Sequence, residues 1–516
     1  MTTTLHSLAF VHANMYQDSV ALMRVAQRLL AMPEVVNATL QMGNPANKEI
    51  LQDAGLLSGE LDGAGPSDIM VAIQARSRTA CEAAGAECRA QLAGTSTGVA
   101  DGAASDVMVP HTLAMAQAAM AGANIAQISV PGPYAAAEAL KAIKLGLNVF
   151  MFSDNVPLAQ EVALKQEAAQ RGLLVMGPDC GTALIGGVPL GFANNVRRGS
   201  IGLVAASGTG LQEVTTQIHR MGGGVSHAIG TGGRDVYAQV GAVTMLQGIA
   251  LLAHDPSTKV ITIVSKPPAP EVAAKVMAAL QAAGKPAVVL FLGSAMRAPA
   301  QQGHAIQVVD TLVDCAAAAV KLAGIEAAAP HHYAIPHKPE FAPSQKYLRA
   351  LYSGGTFASE AQILWAKSGL KVWSNVSVDP ALALADARKA SLGHTALDLG
   401  DDAFTVGRPH PMIDQAARIE RMLQEAADPT VRVIVLDVVI GWGAHPDPAG
   451  DLAAAVAQAK RIAAKAQREI AVIGFVCGTE SDPQGLTQQE TMLRAVGMVL
   501  AGNSANAAWL AGEWVR

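Results

Sequence analysis

Ser200-Ile-Gly-Leu-Val-Ala-Ala-Ser-Gly-Thr-Gly-Leu-Gln-Glu213 is the stretch that decides the fold of this 516-residue chain. Ile201–Ala205 is a short apolar run, Ser207–Gly210 a turn of small residues, and Leu211 opens a helical pattern. A continuous apolar run ending in a small-residue loop and a helix marks a strand of a parallel sheet, covered on both faces. The same signal recurs outward in both directions. Val149–Ser153, Leu173–Gly177, Val260–Ser265, Ala287–Leu292, Val431–Val438 and Ile470–Val476 read as strands, and Pro270–Ala283 and Ala449–Ala466 as intervening helices. The order predicts a doubly wound α/β protein.

The signals also repeat as a set. Within 200–294 a strand leads to Ala206-Ser-Gly-Thr-Gly210, a helix, Asp255-Pro256, the strand Val260–Ser265, and a last strand ending at Gly293-Ser294. Within 346–481 the series is Tyr352-Ser-Gly-Gly-Thr356, a helix, Asp428-Pro429, the strand Val431–Val438, and a strand ending at Gly478-Thr479, with an insertion after the first helix. Two flavodoxin-like domains packed face to face account for this. Residues 1–95 differ, with an amphipathic stretch Ser19–Met32, strands Val35–Met42 and Asp68–Ile73, and a helix Ser77–Gln91, which together read as a small α+β domain. Gly94–Gly98 reads as a hinge and Ala327–Ser344, rich in Pro and His, as a linker.

Composition narrows the function. Charged residues are 15% against a usual ~25%. The net charge of −5 leaves no electrostatic footprint for nucleic acid, and 4% aromatics leave little for base stacking. No uncharged apolar run reaches the length of a membrane span, and Met1–Phe10 lacks a basic leader, so neither membrane nor secretion is expected. Five cysteines without a C-x-x-C pair fit neither a disulfide framework nor a zinc site, and point to the reducing cytoplasm. No metal is expected; His331, His332 and His337 lack partners at ligand spacing.

Three loops carry anion chemistry. Ser207, Gly208, Thr209 and Gly210 open a helix whose first N–H groups have no intrahelical partner. Ser353, Gly354 and Gly355 stand in the same position in the second copy, and Gly441, Gly443 and Ala444 in Val439–Asp447 read as another such turn. One such loop is what every helix start needs; several in repeated domains point to phosphate. Gly208-x-Gly210 lacks the third glycine of a dinucleotide fingerprint, and no Walker lysine is present. Arg234 in Gly230-Thr-Gly-Gly-Arg-Asp235 and Arg408 are candidate carboxylate or phosphate clamps. Lys266 ends a strand where open α/β sheets hold ligands. His445 and His410 lie in Pro- and Gly-rich loops and are candidate proton carriers, with Asp437 expected to orient the His445 loop.

Val130-Pro131, Met176–Cys180, Ala206–Gly210, Gly230–Gly233 and Asp255-Pro256 resemble, in the same order, the α subunit of succinyl-CoA synthetase. The part from about 346 resembles the CoA-ligase domain of its β subunit, and the N-terminal domain, Gly177–Thr182 and Gly407–Asp414 together resemble the FdrA family. The resemblance implies a Rossmann-like domain of CoA-binding type at 96–198, with Val130 and Pro131 at a substrate or CoA cleft. It also implies an α-type ligase domain at 199–326, a linker at 327–345 and a β-type ligase domain at 346–516. Carried over by position, it sets the helix starts after Ser207–Gly210 and Gly441–His445 on either side of one phosphate. The family's phosphohistidine is matched only by Gly303-His-Ala-Ile306, its acidic partner is replaced by Lys266, and no ATP-grasp region is recognisable. The CoA-phosphate loop expected at 97–105 keeps only Gly98 and Gly102.

The chemistry so implied stops at an acyl phosphate. The expected function is a subunit of an oxamate carbamoyltransferase that converts oxalurate and phosphate to oxamate and carbamoyl phosphate in allantoin breakdown. Lys266, Arg234 and His445 are its expected catalytic residues, phosphate or carbamoyl phosphate its substrate, CoA a candidate ligand, and other subunits its partners. The alternatives are a subunit of an NDP-forming acyl-CoA synthetase using His304, and a non-catalytic scaffold.

Overall fold

A computed structural model describes residues 5–15, 17, 19–44, 47–48, 51–52, 55–96, 110–294, 305–328, 333–405 and 408–516. The chain divides into two compact units, 1–110 with 407–409, and the remainder. In the first unit, strands β1 (His6–His12), β2 (Val35–Met42) and β3 (Ile69–Ala75) form an antiparallel sheet in the order β1-β3-β2. Helices α1 (Ser19–Leu30) and α2 (Arg78–Ser96) supply Leu22, Val25, Leu29, Cys81, Ala84 and Cys88 to its core. β1 was not foreseen, because its apolar content lies in a short run next to the chain start. The helix α2 runs through Gly94 to Ser96, so the expected hinge is helical there; a single glycine in an otherwise sound helix costs only about 1 kcal/mol.

Among the described residues the second unit holds three sheets. β4 (Ile125–Ile128), β5 (Asn148–Met151) and β6 (Val175–Met176) are parallel, and α3 (Leu158–Gln170) precedes β6. The next sheet contains the hairpin β7 (Thr182–Ile185) and β8 (Val188–Gly191), then β9 (Arg198–Ala205), β10 (Val225–Gly230), β11 (Val260–Ser265), β12 (Ala287–Phe291) and β13 (Ile306–Val308). Its order is β13-β12-β11-β9-β10-β7-β8. The last sheet joins β14 (Tyr347–Tyr352), β15 (Val372–Ser374), β16 (His394–Asp398), β17 (Val431–Val439), β18 (Ala471–Cys477) and β19 (Val499–Leu500) in the order β15-β16-β14-β17-β18-β19. With β14 matched to β9 and β16 to β10, both parallel cores have the flavodoxin-like order. The second copy adds the edge strand β15 before β16.

Four helices are shared between these two sheets: α4 (Gly208–Arg220), α6 (Leu312–Leu322), α7 (Gly355–Lys367) and α9 (Ser504–Val515). The helix Val243–His254, α5, covers the opposite face of the first copy. Leu211, Val214, Cys315, Phe357, Trp365, Ala508 and Trp514 belong to one continuous core with residues of β9, β12, β14, β17 and β18. The duplicated halves therefore share a single apolar layer, and neither could keep its inner face dry alone.

A pseudo-symmetric pair of buried carboxyls crosses this layer. Gly208-Thr-Gly-Leu-Gln-Glu213 and Gly355-Thr-Phe-Ala-Ser-Glu360 share their spacing. Glu213 accepts from the Ser504 N–H at the start of α9 (3.3 Å), and Glu360 accepts from the Leu312 N–H at the start of α6 (2.7 Å). Each carboxyl thus caps a helix of the opposite half, using the orphan N–H groups that a helix start leaves open. Burial pushes both pKa values up, that of Glu360 to about 7.

Candidate functional site

The two repeated helix starts meet head to head. Ser207 caps α4, its Oγ accepting from the Gly210 N–H (3.0 Å), and the same Oγ lies 2.6 Å from Thr356 Oγ1 in the first turn of α7. The approach is close enough that a methyl group on Gly354 would fall 2.3 Å from Thr209 Cγ2. Two positive helix ends brought together repel each other unless an anion lies between them.

Side chains from neighbouring strand ends surround this junction. Lys266 follows β11 and is exposed; Asp398 ends β16 and is only 8% exposed. A methyl group on Gly355 would stand 2.8 Å from Asp398 Oδ2 and 3.2 Å from Lys266 Nζ, so carboxylate and ammonium flank the α7 amides. Asp398 Oδ1 accepts from the Gly400 N–H (2.9 Å). Burial raises the Asp398 pKa to about 7, with Lys266 pulling the other way. Ser353 is held by Asp437, which accepts from both its N–H (2.8 Å) and its hydroxyl. Arg418, fully buried, donates to Asp437 Oδ1 (3.0 Å). Asp437 therefore orients the head of α7, not the His445 loop that the sequence suggested.

His410 is enclosed. Its Nδ1 accepts from the Met412 N–H (3.2 Å), its Nε2 would be 2.5 Å from a methyl on Gly400, and burial followed by Arg418 lowers its pKa to about 4. It is neutral at pH 7. Asp179, in the turn after β6 at φ +55°, feels the charge of Lys266. Its side chain is solvent-accessible, yet surrounding protein raises its pKa to about 6, Asp154 and Asp402 add to this, and Arg234 and Lys266 oppose it.

Several expected site residues are placed elsewhere. Gly441, Gly443 and Ala444 do not open a helix. The helix α8 (Pro448–Lys465) begins later, capped by Asp447, which accepts from the Gly450 N–H (3.1 Å). The Gly441 N–H donates to Gln484 Oε1 (3.0 Å) and the Trp442 N–H to the Ala193 carbonyl (2.8 Å), so these amides are spent inside the chain. The helix start that meets α4 directly, through Ser207 and Thr356, is that of α7. The arm 182–195 lies against both Gly208 and the 441–443 turn: Thr182 Oγ1 donates to the Phe192 carbonyl (2.7 Å), and Ala193 bridges Trp442.

His445 accepts at Nδ1 from the Asp447 N–H (3.1 Å), and its Nε2 lies 3.4 Å from Asp451, a local use apart from Lys266. Arg234 is no free clamp: its Nε pairs with Glu161 (2.9 Å) and its Nη2 donates to the Val156 carbonyl (2.7 Å). Val130 and Pro131 sit at the head of the β4–β6 sheet, where the Val130 carbonyl accepts from Ser153 Oγ (2.6 Å). Arg408 belongs to the first unit. His304, His331, His332 and the glycines Gly98 and Gly102 lie outside the described residues. Sequence reasoning missed Asp398 and the role of Asp437. A residue-by-residue alignment of the two copies would have exposed the Gly-Thr-x-x-x-Glu spacing around the site.

Three family profiles match: "AllF, heavy metal-associated domain" over 5–108, "CoA binding domain" over 196–293 and "CoA-ligase" over 351–513. The CoA-binding match thus falls on the β9–β12 region, where the resemblance placed an α-type ligase domain. The chain is 42% identical over 512 residues to the "Uncharacterized protein YahF" of Escherichia coli, covering 98% of each. It is 29% identical to the succinate–CoA ligase α subunit of Aquifex aeolicus over 154 residues, which is 28% of this chain and 48% of that protein. Among solved structures, a dinucleotide-forming acetyl-coenzyme A synthetase of Ca. Korarchaeum cryptofilum is 15% identical, with a TM-score of 0.31, over 76% of this chain and 84% of that one.

The name of the N-terminal profile raises a metal. Among the described residues no group of three or more His, Cys, Asp or Glu is placed to hold one. Cys81 and Cys88 are buried in the core of the first unit, and burial raises the Cys88 thiol to about 11, away from the thiolate a metal needs. These residues do not fit a heavy-metal site. Among the described residues no helix is long and apolar enough to cross a membrane.

Proposed function

The chain belongs to the FdrA family, and from that premise we propose that it is a cytoplasmic subunit of a phosphate-dependent carbamoyltransferase complex acting on oxalurate and giving oxamate and carbamoyl phosphate. Its build is that of the succinyl-CoA synthetase-like and NDP-forming acyl-CoA ligase-like proteins. The observation that carries the reading is the junction of α4 and α7, where two positive helix ends stand beside Lys266. Phosphate bound there is held by backbone N–H groups and one ammonium. The same donors stabilise the oxyanion formed when a phosphate oxygen attacks the carbamoyl carbon. A lysine in place of the acidic partner of a phosphohistidine suits direct phosphate binding. Other subunits complete the complex.

Titration of the full chain with inorganic phosphate tests the site. Lys266→Ala should weaken binding by about 10- to 100-fold, the worth of a charge-assisted hydrogen bond. Gly355→Leu should abolish it, because the side chain would occupy the space between Asp398 and Lys266. Unchanged affinity in both variants would move phosphate elsewhere. Formation of labelled carbamoyl phosphate from oxalurate and phosphate by the assembled complex tests the reaction.

A second reading is favoured by the CoA-binding and CoA-ligase matches: an acyl-CoA synthetase subunit that binds CoA and passes through an acyl phosphate. Acid-labile ³²P on His304, lost in His304→Ala, would select it.

A further inference from the structure

Resting on the carbamoyl-transfer reading, we infer that Asp398 is the proton-transfer residue of the reaction, and that the substrate class is N-carbamoyl compounds with a nitrogen leaving group. The argument starts from topology. Ser207, Lys266, Ser353 and Asp398 lie at or just beyond the C-terminal ends of parallel strands β9, β11, β14 and β16, and Asp437 near the end of β17, the edge at which α/β sheets do chemistry. Among these five, Asp437 is spent on Ser353 and Arg418, and Ser207 on the α4 cap. Asp398 differs. One oxygen is fixed by the Gly400 N–H, and the other stands over the first residue of α7, beside Lys266.

A carboxyl so enclosed keeps its proton near neutral pH, which a surface carboxyl does not. The groups facing it are Lys266 from the loop after β11, Asp437 from β17, Asp401 on its own loop, and His410, whose Nε2 lies beside Gly400. His410 is neutral, so Lys266 is the cation that faces Asp398.

The chemistry requires such a group. A carbamoyl–nitrogen bond does not break to release an amide anion; the nitrogen must be protonated as it leaves. Phosphate oxygen forms the new bond to carbon, the C–N bond breaks with its electron pair on nitrogen, and that nitrogen takes the Asp398 proton. The resulting carboxylate recovers a proton from the attacking monohydrogen phosphate, which ends as the dianionic carbamoyl phosphate. Atoms and charge balance without a further reactant.

The test compares two carbamoyl donors with the full chain in its complex. Oxalurate needs a protonated nitrogen; p-nitrophenyl carbamate has a leaving group that departs without a proton. Asp398→Asn should lower phosphorolysis of oxalurate by about 10²- to 10⁴-fold and that of the aryl carbamate by less than about 10-fold. Phosphate affinity and unfolding temperature should stay near wild type, which shows the variant folded. Should it not fold, the wild-type pH profiles decide. The limb lost as pH rises through about 7 should be present with oxalurate and absent with the aryl carbamate. Equal losses on both donors, or identical pH profiles, overturn the assignment. A wild-type complex that makes no carbamoyl phosphate from oxalurate sinks the functional reading and the proton role with it. Wild-type activity with Asp398→Asn unimpaired sinks the proton role alone.

Discussion

Lys165→Met should destabilise the protein by about 3–5 kcal/mol, the cost of removing one partner from a buried ion cluster. Lys165 lies on α3 and is fully enclosed. Its Nζ contacts Asp235 Oδ1 at 2.7 Å and Glu161 Oε1 at 3.1 Å, and donates to the Thr231 carbonyl at 2.9 Å. Asp235 also accepts from the Thr244 and Met245 N–H groups at the start of α5 (3.2 and 2.9 Å). Glu161 in turn holds Arg234. Methionine keeps the length of the side chain and deletes the charge. Glu161 would then rest on Arg234, which is partly solvent-exposed, and Asp235 on the two N–H groups of α5. The cluster ties the β4–β6 layer to the Gly230–Asp235 turn, so the defect should be local as well as global. Urea unfolding reads the total loss, and faster hydrogen exchange at Thr244 and Met245 reads the local part. Glu161→Gln in the same background removes one stranded charge and should recover part of the loss. A deficit below about 1 kcal/mol would mean that water reaches these carboxylates.

The second large effect is a pH dependence carried by Glu360. Its folded pKa of about 7 stands above the ordinary value of 4.5 because burial disfavours the charged form. Between these values the folded state keeps a proton that the unfolded state has released. The contribution of this group is therefore complete below pH 4.5, is lost as pH rises toward 7, and changes no further above that. The interval corresponds to about 3 kcal/mol. Glu360→Gln carries no proton to lose and keeps an acceptor, so the stability difference between it and wild type should grow across this window in favour of the variant. Glu360→Ala should instead be destabilised by about 1–3 kcal/mol below pH 4.5, because the Leu312 N–H and the Ser504 hydroxyl lose their acceptor, and this deficit should shrink across the same window as wild type loses its own contribution. Asp398 and Asp179 titrate alike in all three proteins and cancel from the comparison. Parallel curves for wild type and Glu360→Gln would show that Glu360 is already charged in the fold.

Much of the architecture was legible because parallel strands covered on both faces have no polar alternation to hide them. Val260–Ser265 and Pro270–Ala283 were read to the residue, and Val431–Val438 falls one residue short of β17. β1 and the run of α2 through Gly94 were not, since each depends on what it packs against rather than on its own pattern. In the site, Ser207–Gly210 and Lys266 announced themselves by small residues after a strand and by a charge at a strand end. Asp398 did not, because an aspartate in a loop-rich stretch looks the same whether it is solvated or enclosed.

Local pattern alone determined the class of fold, its duplication, and the two helix starts suited to an anion. These follow from hydrophobic period and backbone geometry, which act over a few residues. The tertiary structure alone decided that α4 meets α7, while Gly441 and Trp442 spend their amides on Gln484 and Ala193. It also decided that Arg234 is tied to Glu161, and that Asp398 and Lys266 share one place. Which donors stay free depends on partners hundreds of residues away, and nothing in a short stretch encodes whether such a partner arrives.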